Sequence, residues 1–101
     1  MAVKFTVSPV RSHENLQFVV IGFEIEGGII EPTELSSLTP PQIPAGCGVL
    51  LSGRGPVWLY SFLTHWYHPA LFIAVFDPRL KAGVVTESHT KKVKPGVLIP
   101  V

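Results

Sequence analysis

The sequence predicts a small α/β domain spanning residues 1–101, a mixed sheet with a central parallel βαβαβ-like core flanked by hairpin strands. Three observations predict it. Residues 16–26, 48–51 and 71–76 are apolar, β-branched runs too uniform for a half-wet sheet, so they read as interior strands. Helix-like segments separate them, a short one opened by Pro32-Thr33-Glu34-Leu35 and a longer one from Pro56 to about Tyr67. Strand, helix, strand, helix, strand in that order makes a parallel core.

Each element follows from local pattern. Val3, Phe5 and Val7 alternate with Lys4, Thr6 and Ser8, the period of a strand with one wet face, and Pro9 ends it. Residues 11–15 are polar and read as a turn, so that the first strand and residues 16–26 form a hairpin. Gly27-Gly28 breaks the run, and residues 39–46 hold three prolines, which exclude helix and central strand. The helix from Pro56 is apolar around its circumference, the pattern of a helix buried on all sides. In so small a domain one of those sides most easily meets another subunit. His68-Pro69 ends the helix, and Asp77-Pro78-Arg79 closes the next strand. Residues 84–86 form a further strand, residues 91–96 a basic turn, and residues 97–101 a last edge strand that tolerates Pro100.

Composition narrows the function classes. Of 101 residues, 47% are apolar and only 15% charged, too little solvated surface for disorder and a composition that favours a homodimer. A net charge of +1 argues against a protein that grips duplex DNA by its backbone. The charge is uneven. Residues 1–45 carry two cations against five carboxylates, a balance of −3, and residues 46–101 carry six against two, a balance of +4. A short polyanion could sit on the second half, although a sample this small also splits unevenly by chance. Cys47 is the only cysteine, which excludes an internal disulfide and a cysteine-based zinc site. There is no signal-peptide pattern and no run long enough to span a bilayer, so the expected address is the cytoplasm.

Two groups of residues could do chemistry. Ser52-Gly53-Arg54-Gly55-Pro56 lies between a strand and a helix. Its glycines allow positive φ and close approach of an anion, the helix N-terminus offers amide groups, and Arg54 offers a bidentate fork. The plain alternative is a tight turn with a solvent-facing arginine. His68, Asp77 and His89 stand at element ends, with Arg79 beside them. Converging on one rim, two imidazoles and a carboxylate would suit a mid-row divalent ion such as manganese, with Arg79 stabilising a phosphorane. The plain alternatives are a helix C-cap at His68, an Asp-Pro turn at Asp77 and an exposed loop histidine at His89. His65 reads as a core or interface residue, and His13 as solvated.

Residues 51–59, residues 74–80 with Asp77-Pro78-Arg79, and Ser88-His89 together resemble a known family. They are similar to the manganese-dependent ring nucleases of type III CRISPR systems, earlier described as an RNA deadenylase. The resemblance implies a reduced relative of the Rossmann-like nucleotide-sensing domains of these systems. It implies a metal-dependent phosphodiesterase that opens cyclic tetra-adenylate and so switches off antiviral signalling, and homodimers that pair around the ring as a tetramer. By position, Ser52, Gly53, Arg54 and Gly55 match the ligand-cradling turn. His68, Asp77, Arg79 and His89 match residues of catalysis, with His68, Asp77 and His89 the metal set. His65 could fill the place of His68, which its distance to Asp77 favours. The family's binding and cutting faces lie on opposite sides of the dimer, so Arg79 could serve either. Two other readings remain: an exonuclease trimming short adenylate RNA, and a binder that holds the ring without cutting it.

Overall fold

The computed structural model describes residues 2–101. Strands β1 (Val3–Val7) and β2 (Arg11–His13) both lie antiparallel along the ten-residue β3 (Leu16–Ile25). Pro9 has no amide to donate and divides β1 from β2. Ser8 bridges the break: its amide donates to the Val20 carbonyl at 3.0 Å, and its Oγ accepts from the Val20 amide at 2.8 Å. The predicted hairpin is present, with one correction. Residues 11–13 are strand, and the turn is Glu14-Asn15 alone, with φ of 49° and 65°. Positive φ at both positions is what a two-residue hairpin loop needs.

Two parallel strands follow. β4 (Gly48–Gly53) sets Phe18 opposite Gly48 and Phe23 opposite Gly53. β5 (Phe72–Asp77) sets Leu51 opposite Val75. The first crossover carries only two short 3-10 segments, Glu26–Gly28 and Pro32–Ser37, the second opened by a reciprocal capping box between Glu31 and Glu34. The second carries α1 (Val57–Trp66). β6 (Ala82–Ser88) returns antiparallel to β5, and β7 (Leu98–Pro100) antiparallel to β6. The sheet order is β1-β3-β4-β5-β6-β7, the parallel core with flanking hairpins that the sequence predicts.

The sheet buries both faces. Ile21, Phe23, Val49, Leu51 and Ile73 pack on one face beneath Leu59 and Leu63 of α1. Each of these two leucines is fully buried, a contribution of about 1.5–3 kcal/mol apiece. Phe18, Leu50, Phe72, Ala74, Val85 and Ile99 cluster on the other face. Gly48 is required there, because a Cβ would enter the Phe72 ring. The expectation that α1 is buried all round is corrected: Val57 is 83% exposed and Trp66 46%. The sheet and the segment leading to β4 cover one side of the helix, and among the described residues nothing buries Val57 on the other.

One irregularity bears on the site. Ile73 stands opposite Glu87 but Ala74 opposite Val85, so Thr86 is an extra residue in β6, a β-bulge. Among the described residues no helix is long and apolar enough to cross a membrane.

Candidate functional site

Leu51 opposite Val75 brings Gly53 and Asp77 level at the carboxyl end of the parallel strands, as the sequence predicts for both turns. Arg54 is exposed, and with Gly55, Pro56, Trp58, Phe23 and Glu24 it lines an open hollow of about 880 Å³. Pro56 caps α1 without a side-chain hydrogen bond, so no side-chain acceptor competes for the first helical amides. Ser52 turns to the opposite face, where it lines a smaller hollow of about 410 Å³ with Lys4, Thr6 and Glu24.

The glycines act differently from expectation. Neither Gly53 nor Gly55 has positive φ. A Cβ on Gly53 would stand 2.7 Å from Phe23 Cδ2, so Gly53 is needed for close strand packing. Its amide is also engaged, donating to the Tyr60 hydroxyl at 3.0 Å, while that hydroxyl donates to the Gly53 carbonyl. Gly53 therefore fixes the turn and has no free amide for an anion. Burial pushes the Tyr60 hydroxyl pKa up, against the lowering by its Gly53 backbone bond. Tyr60 is what anchors α1 to the Arg54 turn.

Asp77 ends β5 and pairs with its neighbour. Its Oδ1 accepts from the Arg79 amide at 2.8 Å, and its Oδ2 from Arg79 Nη2 at 3.2 Å. The Arg79 side-chain bond, then the Arg79 amide, hold the Asp77 carboxyl below the usual carboxylate range. The same bond raises the Arg79 guanidinium pKa. The Arg79 side chain is otherwise open to solvent.

His68 and His89 lie at the other end of the sheet. The His89 amide donates to the Leu71 carbonyl at 2.9 Å, beside the first residue of β5, whereas Asp77 is the last. Five residue steps at about 3.3 Å each separate the two ends of β5 by about 16 Å. The expected set of His68, Asp77 and His89 does not converge within one chain, because β5 runs between its members. The two histidines meet Glu87 instead. Its Oε2 is 3.0 Å from His68 Nδ1 and 3.1 Å from His89 Nε2, and the imidazole rings pack edge to face at 4.8 Å. Three donor atoms within 4.8 Å of one another, two nitrogens and one carboxylate oxygen, could hold a divalent transition-metal ion. His65 is exposed on α1 and stands outside this cluster.

Glu87 is the residue that sequence reasoning missed. The usable signal was the Glu87-Ser88-His89 spacing, which puts two donors on one side of an extended strand.

A family model described as CRISPR-associated protein (Cas_csx3) matches residues 23–100. A protein of Aquifex aeolicus (strain VF5), described as uncharacterized, is 40% identical, the match covering 96% of this chain and 86% of the relative.

Proposed function

The chain belongs to the CRISPR-associated Cas_csx3 family, and from that premise we propose that it is a metal-dependent ring nuclease. It binds cyclic tetra-adenylate and cleaves it to short linear oligoadenylates, ending type III CRISPR antiviral signalling. The observation that carries the reading is the two-ended layout of one sheet. An arginine-lined hollow opens at the carboxyl end of the parallel strands, and a histidine–carboxylate cluster stands at the other end.

The hollow suits the ligand. Arg54 supplies a planar fork for phosphate oxygens, and the N-terminus of α1 supplies positive potential beside it. Phe23 and Trp58 give apolar surface on which an adenine can rest. Ser52 reaches the other face of the same edge, and Gly55 lets the turn close tightly on Phe23 and Leu59, which a Cβ would crowd. A ring that carries four phosphates about a symmetry axis is matched by two copies of Arg54 in a homodimer.

The other end suits the cut. His68 and His89 would hold manganese, the metal of the ring nucleases that this sequence resembles. When bound, a divalent ion neutralises phosphodiester charge and lowers the pKa of an attacking hydroxyl. Asp77 and Arg79 share an edge with Arg54, so a ring seated on one dimer would meet the histidines of a facing dimer. The cutting site is then composite: Asp77 and Arg79 from one copy, and His68 and His89 from another. Arg79 steadies phosphate charge, and Asp77 keeps its guanidinium aligned.

The test is incubation of the purified protein with cyclic tetra-adenylate, with manganese and with chelator, followed by separation of products. Linear di-adenylate or tetra-adenylate that appears only with metal supports the reading, and the terminal phosphate reports whether water or the ribose hydroxyl attacks. An intact but bound ring makes the protein a binder. Trimming of linear adenylate RNA with the ring untouched makes it an exonuclease. Either outcome overturns the proposal.

A further inference from the structure

We propose that Glu87 is the carboxylate ligand of the divalent-cation site, completing it with His68 and His89, and that Asp77 is not a ligand. The inference deepens the reading above, and it rests on that reading for its catalytic meaning alone.

The bulge in β6 builds the cluster. In an unbroken strand Glu87 would share a face with Val85, which packs in the cluster on the side away from α1. The extra residue Thr86 reverses the phase. Glu87 then stands opposite Ile73, whose side chain packs on the helix-covered face. His89, two residues on, projects to the same side. That side is where the chain leaves α1, and His68 is the second residue beyond its last turn. A bulge re-aiming a side chain beside a site is a recurrent device of β-sheets.

The distances match a coordination shell. Two donors about 2.1 Å from one ion and at right angles to each other are about 3.0 Å apart. His68 Nδ1 and His89 Nε2 stand at 3.0 Å and 3.1 Å from the shared Glu87 oxygen. The segments that carry them are tied to the backbone: the His68 amide donates to the His65 carbonyl at 3.2 Å, and the His89 amide to Leu71. Ser88 and Thr90 bond each other just beyond. The three side chains are 60%, 30% and 43% exposed, which leaves an open side for water or a phosphate oxygen. Within one chain Asp77 is excluded by position, at the far end of β5, and in any copy both its oxygens are bonded to Arg79.

The experiment uses the whole protein and manganese alone, with no nucleotide. Free manganese is followed by electron paramagnetic resonance, and the histidine ring signals by nuclear magnetic resonance. Wild type should take up one ion per chain, and at substoichiometric manganese the His68 and His89 ring signals should broaden first, ahead of those of His65 and His13, because the broadening falls steeply with distance. Glu87→Gln should bind at least about tenfold more weakly, and Asp77→Asn within about twofold of wild type. Wild-type unfolding temperature in both variants confirms that they fold. The proposal is overturned if Glu87→Gln binds like wild type, if Asp77→Asn loses as much affinity, or if broadening spares His68 and His89. Ring opening is scored separately. Manganese bound at these residues without ring opening would sink the functional reading and leave the site standing.

Discussion

The Tyr60 hydroxyl closes a two-way hydrogen bond with the backbone of Gly53, seven residues earlier, accepting from its amide and donating to its carbonyl. The ring also packs edge-on against Phe23 at 5.0 Å. One side chain thus ties α1, β3 and the end of β4 together immediately before Arg54. Tyr60→Phe keeps the ring and removes the bond. It should cost about 1–2 kcal/mol of stability, read from urea unfolding. It should also weaken binding of cyclic tetra-adenylate severalfold while Arg54 itself is intact.

Arg54 itself should matter more to binding than to folding. It is exposed, so Arg54→Ala should leave the unfolding midpoint within experimental scatter. Loss of a charge-assisted fork on phosphate, about 1.5–3 kcal/mol, should weaken ring binding about 10- to 100-fold by calorimetry. Arg54→Lys should recover only part of this, because a point charge does not replace a planar fork.

The separation of His68 from Asp77 along β5 makes a complementation test decisive for a composite cutting site. His68→Ala and Asp77→Ala should each abolish ring opening alone and leave binding nearly intact. Mixed, they should recover about a quarter of wild-type rate, since random pairing of copies regenerates some intact sites. No recovery on mixing would mean that one chain supplies the whole site.

Asp77 should titrate below an ordinary aspartate. Its folded pKa is lowered by Arg79, so its stabilising contribution is present above the unfolded value, near 3.9, and disappears as pH falls through the lower folded value. Carboxyl carbon shifts should follow this titration, and Arg79→Ala should move it back up. At neutral pH Asp77 is therefore a carboxylate and cannot act as a general acid.

Tyr67 sets the alkaline limit in the opposite sense. Burial pushes its hydroxyl up to about 12, and the hydroxyl donates to the Pro41 carbonyl at 2.6 Å. The neutral form is favoured in the fold. Its contribution is complete below the unfolded value near 10 and is lost between there and about 12. Urea midpoints measured across that range should fall steeply in wild type and less steeply in Tyr67→Phe.

Most of the fold was legible because interior strands and turn residues leave strong marks: the runs that became β3, β4 and β5, and the prolines and glycines between them. Residues 11–13 were misread because a short polar strand at a sheet margin has no apolar signature. The circumference of α1 was misread because apolar composition reports what a surface avoids and not what covers it. At the site, the location of both turns at strand ends was legible from element order. The partnership of His68 and His89 with Glu87 was not, because it depends on the one-residue slip at Thr86, and strict alternation places Glu87 on the wrong side. The two glycines around Arg54 were legible as special positions, but their reason is the proximity of the Phe23 ring and backbone, a tertiary fact.

Pro9 interrupts one outer margin of the sheet, and the other is only three residues long and finishes at Pro100. Neither margin offers the continuous row of free amides and carbonyls on which a foreign strand could grow. An apolar chain of this size is thereby protected from ribbon-like polymerisation, and copies that associate are directed to stack through broad surfaces or tips.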